Sequence, residues 1–296
     1  MLHEDWQKYL ETRPVAEAGQ PAPSAAAGAW LTRLSLLRFR GPDARSFLQG
    51  YLTNDTGTLR GDQLQPTALC NLKGRVVVNG WCWAVDDTDV RLLIHGSVTE
   101  RLAAFLRPYL MFAKTELEDE TPNHLLFGLL SDSSDIARDL DGLGMGRRQI
   151  VLCDSTDDAA ALSDHLSWID ESQWLASLIE DGIPLVTAAT SETFLPQMLN
   201  LDASGAVSFS KGCYLGQEVV ARAQHRGEVK RRLHRLTWSG EQALSAGQEI
   251  TDGRGRAVGI VINAVLRHGE GQCLAVLQAG HVGDLRQGDT DLRSVA

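Results

Sequence analysis

The eight residues Lys211-Gly212-Cys213-Tyr214-Leu215-Gly216-Gln217-Glu218 gather more reactive chemistry than any other stretch of the chain. The pattern predicts a short apolar strand over 206–209 leading in and a helix over 216–224 leading out. A thiol at a helix N-terminus meets unsatisfied N–H groups and the positive end of the peptide dipoles, both of which favour thiolate. Lys211 adds to that effect if its ammonium points the same way, and Gly212 and Gly216 permit a tight turn and a close approach by another group. The same residues also suit a strand-to-helix corner holding a small packed thiol. Cys70, Cys82, Cys153 and Cys273 lie in apolar, strand-like contexts, so Cys213 is the thiol expected to react.

The elements that must position this stretch follow from periodicity. Residues 1–29, rich in Ala, Pro and Gly over 13–29, read as a flexible arm outside the fold. A first strand is predicted near 30–39, and Gly41-Pro42-Asp43 then opens a helix carrying Phe47, Leu48, Tyr51 and Leu52 on one face. Apolar runs over 66–72, 76–85 and 90–95 predict an antiparallel meander. Ser97 and Glu100 have the spacing of a capping box. Further strands are expected at 125–130 and 150–153, with helices at 136–140, 159–168 and 172–180. After Lys230, short runs at 233–238, 258–266 and 273–277 between glycine-containing turns predict a small β-barrel. The class is α+β, with two interleaved lobes over 30–228 and a barrel over 229–296.

Composition bounds the function. The chain has 296 residues, enough for two or three domains with cores of their own, and 43% hydrophobic with 22% charged residues is an ordinary globular mixture. Its five cysteines leave one unpaired, and no two are spaced Cys-x-x-Cys, which points to a reducing compartment and away from a metal or iron–sulfur centre of its own. The polar start over 1–8 lacks the features of a secretory signal, so a cytoplasmic location without membrane contact is expected. A net charge of −10 makes nucleic acid a poor direct partner, although the basic run Lys230-Arg231-Arg232, with His225 and Arg226, suits either an anion contact or a solvated loop.

The Lys-Gly-Cys-Tyr-Leu-Gly-Gln-Glu stretch resembles the signature of the YgfZ family of folate-binding proteins, relatives of the glycine-cleavage aminomethyltransferase. The likeness extends through Gly41-Pro42-Asp43-Ala44, Phe47-Leu48-Gln49-Gly50, Lys73-Gly74-Arg75, Tyr109-Leu110-Met111-Phe112, Gly182-Ile183-Pro184 and Phe194-Leu195-Pro196-Gln197. It implies an aminomethyltransferase-like ring of three lobes, a C-terminal β-barrel and tetrahydrofolate, or a derivative, in the central opening. It further implies that Trp174 stacks on the folate and Glu180 accepts hydrogen bonds from it. By themselves, the two residues equally suit a core aromatic and a solvated acid. Lys211, Gly212, Tyr214, Gln217 and Glu218 are implied to face that opening with Cys213. Two departures stand out: Leu34 occupies the place of an early tryptophan, and 73–79 lacks the aspartate that assists one-carbon transfer in the transferases. The resemblance thus implies an accessory factor for assembly or repair of iron–sulfur enzymes, including tRNA-modifying ones, with client or assembly proteins as partners. A folate-dependent aminomethyl transferase and a folate-free interaction module are the alternatives.

Overall fold

The computed structural model describes residues 2–12, 26–130, 142–164, 166–226, 229–280 and 284–295. The chain opens with α1 (Leu2–Thr12), β1 (Ala26–Trp30), β2 (Leu34–Arg40) and α2 (Ala44–Gln49). The meander follows as β3 (Gln65–Cys70), β4 (Val76–Asp86) and β5 (Asp89–His95), then α3 (Thr99–Leu110) and β6 (Glu116–Asp119). Next come β7 (Leu125–Leu130), β8 (Leu143–Met145), β9 (Arg148–Cys153), α4 (Thr156–Ser163), β10 (Leu166–Trp168), α5 (Glu171–Glu180) and α6 (Gln217–Arg226). The last six strands are β11 (Arg231–Ser239), β12 (Glu249–Asp252), β13 (Ala257–Arg267), β14 (Glu270–Gln278), β15 (Leu285–Gln287) and β16 (Thr290–Val295).

These elements make three lobes. One sheet has the order β3-β4-β5-β2-β6, a second β10-β1-β7-β9-β8, and β11-β14-β13-β12-β15-β16 close into a barrel. The α+β class and the C-terminal barrel are therefore as expected, and the meander is present and antiparallel, Thr67 opposite Gly80 and Gly80 opposite Ile94, with irregularities at Leu69/Cys70 and Ala84/Asp86. The single strand expected at 30–39 is instead two strands in different sheets, because the turn over 31–33 carries the chain from one lobe to the other. The capping box is not formed. Ser97 precedes the helix, and its hydroxyl accepts from Ala188 N at 3.0 Å and lies 2.9 Å from His95 Nδ1. Trp168, expected on a helix, lies in β10, parallel to β1. The helix expected at 136–140 lies outside the described residues.

The N-terminal arm also needs correcting. In α1 the residues Leu2, Trp6, Tyr9 and Leu10 share one helical face, and all pack on the core of the second lobe. Trp6 is fully buried, edge-on to Phe127 at 5.6 Å and stacked on Tyr9 at 4.9 Å. His3 Nε2 adds contacts to the carbonyls of Thr121 at 2.9 Å and His124 at 2.8 Å. Ala26–Trp30 is a central strand, so the low-complexity composition concealed elements at both of its ends.

What joins the lobes is the extended segment after α5. The Asn79 side-chain amide on β4 donates to Pro184 O and accepts from Val186 N, each at 2.7 Å. One residue away, Leu185 N donates to Asn263 Oδ1 on β13 at 2.7 Å, and Asn263 Nδ2 donates to Leu185 O at 2.9 Å. Successive residues of an extended chain direct their backbone groups to opposite sides, so one segment is gripped by the first lobe and by the barrel at once. Asn263→Ala leaves the Leu185 N–H and C=O without these partners and is expected to cost about 1–3 kcal/mol. Chemical denaturation is the check, and a folded variant with unchanged stability would contradict the clamp.

Candidate functional site

The first two lobes and the segments that follow α5 leave a cavity of about 260 Å³ beside the Asn79 clamp. Thr67, Asn79 and Trp81 of the meander form one wall, Arg147 and Arg148 the second, and Asp181 with Ile183 and Pro184 the third. The polar side is ordered by charge. Arg148, 2% exposed at its side chain, donates from Nη2 to Asp181 Oδ2 at 2.8 Å, and Arg147 Nε lies 3.3 Å from the same oxygen. Arg148 also donates from Nε to Ser177 Oγ at 2.8 Å and from Nη2 to Ser177 O, which ties this wall to α5. Burial pushes the Asp181 carboxyl up, but the hydrogen bonds and charges of Arg148 and Arg147 outweigh it and hold Asp181 below the usual carboxylate range. Thr67 Oγ1 is buried on the wall without a hydrogen-bond partner. That oxygen is closed off from solvent, and the polar group the wall leaves open is the half-exposed Asp181 carboxylate.

None of the eight sequence-predicted site residues lines this cavity. Trp174 is fully buried in the core between the sheets, and Gly128 makes room for it: a Cβ there would lie 2.4 Å from the indole Nε1. The helix period that places Trp174 on α5 turns it inward, so in this structure the indole packs in the core and does not border the cavity. Glu180 lies at the end of α5, about half exposed, with Arg147 Nη2 3.1 Å from its Oε2. It therefore supports the arginine wall, while its neighbour Asp181 takes the place at the cavity. The signals that sequence reasoning passed over were the doublet Arg147-Arg148 after Gly144-Met145-Gly146, and Asp181 directly beside the chosen Glu180.

The cysteine stretch packs elsewhere, between the end of α2 and the β3–β4 turn. Leu215 N donates to Gly50 O at 3.0 Å. Gly216, at φ +81°, sits so close to the turn that a Cβ would lie 2.4 Å from Asn71 O. Gln217 Oε1 accepts from Tyr214 N at 3.3 Å. Lys211 does not point at Cys213. Its ammonium donates to the carbonyls of Gln49 at 2.8 Å, Leu52 at 2.6 Å and Asn54 at 2.9 Å, and lies 5.2 Å from the centre of the buried Tyr214 ring. Burial pushes the lysine down to about 8, opposed by the charge of Asp55. The lysine thus holds the end of α2. Nothing lies within 4 Å of a Cβ built on Gly212, so no close approach explains that glycine. The expected strand over 206–209 is absent, and α6 starts at Gln217, four residues after Cys213. Cys213 and Glu218 are exposed, and the other four cysteines are buried, with burial pushing each thiol up to about 12.

The basic run is partly structural. Arg232 Nη1 donates to Gln197 O at 2.8 Å and lies 3.2 Å from Asp202 Oδ1. Among the described residues no group of three or more His, Cys, Asp or Glu side chains is placed to hold a metal ion, and no helix is long and apolar enough to cross a membrane.

Relatives named tRNA-modifying protein YgfZ share this architecture's sequence. The chain is 34% identical to the one from Edwardsiella ictaluri over 234 residues, 71% of this chain and 70% of the relative. It is 32% identical to that of Cronobacter sakazakii, covering 83% of each chain. The chain belongs to the YgfZ family. The YgfZ protein of Yersinia pestis is 30% identical over 85% of this chain and 83% of its own. No protein-family model matches. Among solved structures, the glycine cleavage system aminomethyltransferase T from Bartonella henselae superposes with a TM-score of 0.71 over 98% of this chain and 87% of its own, at 16% identity. That likeness shows the aminomethyltransferase fold.

Two outcomes follow from these placements. Trp174→Ala opens a core cavity and is expected to lower stability by about 3–5 kcal/mol, read from the denaturation midpoint; a fully stable variant would return the indole to a surface role. Iodoacetamide on the native protein is expected to label Cys213 before the four buried thiols, as mapped by peptide mass spectrometry. Labelling of any buried cysteine at the same rate would contradict the placement.

Proposed function

We propose that this YgfZ-family chain is a tetrahydrofolate-binding accessory factor that supports assembly or repair of iron–sulfur enzymes, tRNA-modifying ones among them, in the cytoplasm. The observation that carries the folate half is the cavity beside the Asn79 clamp, where the Arg147/Arg148–Asp181 wall and the apolar Trp81, Ile183 and Pro184 surround one space. A pterin is flat, aromatic on its faces and rich in N–H and N acceptor groups at its edge. The cavity matches that in kind: Asp181 accepts from amino and ring N–H groups, and the apolar side covers a ring face. Tetrahydrofolate, when bound, supplies ring nitrogens that carry a one-carbon unit.

The aminomethyl transferase reading is disfavoured by Asn79 on the cavity wall. No carboxylate stands on the β4 stretch over 76–79, and the Asn79 amide is already committed on both sides, to Pro184 O and Val186 N. Its partners, a carbonyl and an N–H, fix which end of the amide is which, so neither end is free to move a proton. Cys213 is the exposed thiol available for client chemistry, and it does not line the cavity. The names of the relatives support tRNA modification as the process served.

Calorimetric titration with tetrahydrofolate is expected to give saturable binding, weakened about tenfold or more by Asp181→Asn, since hydrogen bonds to a charged group contribute about 1.5–3 kcal/mol. The same protein is expected to release no ammonia from an aminomethyl-lipoyl carrier. Absence of binding would leave the interaction-module reading, and turnover near the common enzyme range of about 1–10³ per second would establish the transferase.

A further inference from the structure

Beyond Ile183, which borders both spaces, lies a second and smaller cavity of about 100 Å³ that the folate reading does not use. Leu175, Leu178 and Ile179 of α5, with Leu185 and Val265, give it an apolar floor, and Arg33 and His95 stand on its rim. The other polar groups there are satisfied: the Asn263 amide holds Leu185 on both sides, and Thr187 Oγ1 lies 3.4 Å from Thr190 Oγ1.

The rim offers donors alone. His95 Nδ1 accepts from Ser97 N at 3.2 Å and faces Ser97 Oγ at 2.9 Å, while that oxygen accepts from Ala188 N at 3.0 Å. The hydroxyl hydrogen therefore turns to Nδ1, and the ring proton sits on Nε2, which has no partner among the described residues. Burial, with the charge of Arg33 second, pushes His95 below its ordinary value, which favours the neutral ring. Glu171 accepts from Thr32 N, Thr32 Oγ1 and Arg33 N, and its nearer oxygen is 3.8 Å from Arg33 Nε. The two terminal guanidinium nitrogens remain without a hydrogen bond in the described fold.

We infer that this cavity is a second ligand site, for a carboxylate carried on a short apolar chain, with Arg33 and His95 Nε2 on the carboxylate and the α5 floor beneath the chain. It is smaller than the roughly 150 Å³ cavity that accepts benzene, so a chain of about three or four carbons fills it. A guanidinium and an N–H donor on the lining of one cavity select a carboxylate over an alcohol or an amine of the same length.

The test is a titration of butyrate into the full-length protein, followed by NMR of the His95 ring and the Leu185 and Val265 methyl groups, with butylammonium and 1-butanol as matched controls. Butyrate is expected to shift these signals saturably and the controls to leave them in place. Arg33→Gln is expected to weaken butyrate by at least about tenfold, without loss of folding, because the Arg33 side chain is 56% exposed and its guanidinium holds no hydrogen bond within the fold. The same variant is expected to bind tetrahydrofolate as the parent does, so the two sites fail independently. No butyrate response, an equal response to either control, an unaffected Arg33→Gln protein, or displacement of butyrate by tetrahydrofolate would each overturn the second site.

Discussion

The ring of lobes depends on two side-chain amides gripping one extended segment from opposite sides. Asn79 reaches Pro184 and Val186 from the first lobe, and Asn263 reaches Leu185 from the barrel. An asparagine amide carries both a donor and an acceptor, so each one completes the segment's backbone as a neighbouring strand would. Pro184 suits the register because it has no N–H to satisfy, and its carbonyl accepts from the Asn79 amide. The segment itself follows α5, whose inner face packs in the core shared with the second lobe. All three lobes therefore converge on a few residues of chain, and the two cavities lie on either side of it.

That constraint also decides the chemistry available at the centre. A carboxylate at position 79 would set an oxygen against the Pro184 carbonyl where a donor is now required, and burial would sharpen the repulsion. The amide is thus demanded by the architecture, quite apart from any reaction. The polar character of the cavity has moved instead to the arginine doublet and Asp181, a wall that orders hydrogen-bonding groups through an ion pair shielded by Ser177 and the end of α5.

How much of this was legible in the sequence depended on whether the signal was local. The meander and the barrel were legible because strand alternation and turn residues are encoded within each run. The family likeness was legible because its motifs are contiguous. The helix at Leu2–Thr12 was missed because its apolar stripe borders an Ala/Pro-rich run whose composition dominated the reading, although Trp6 is among the most buried residues of the protein. The orientation of Trp174 was not legible, since an indole on a helix serves a core and a ligand equally well until its neighbours are known. Asp181 and the doublet Arg147-Arg148 were invisible for a different reason: they meet only after the chain has closed a loop of more than thirty residues.

The cysteine stretch shows how structural demand and function separate within one motif. Lys211 is held by three carbonyls, Tyr214 lies buried against it, Leu215 bonds to Gly50, Gly216 alone fits against Asn71, and Gln217 receives the Tyr214 N–H. Each of these five positions is fixed by packing, and an ammonium buried in this way tolerates little change around it. Gly212, Cys213 and Glu218 are exposed and carry no comparable obligation. Glu218 has a local reason to be acidic, since it lies in the first turn of α6 and complements that end of the helix. Gly212 has an open space where its side chain would be, and Cys213 presents its thiol to solvent on a base that five neighbours make rigid. Exposure to solvent on a base so anchored sets Cys213 apart from the other four cysteines, each of which is enclosed by a core.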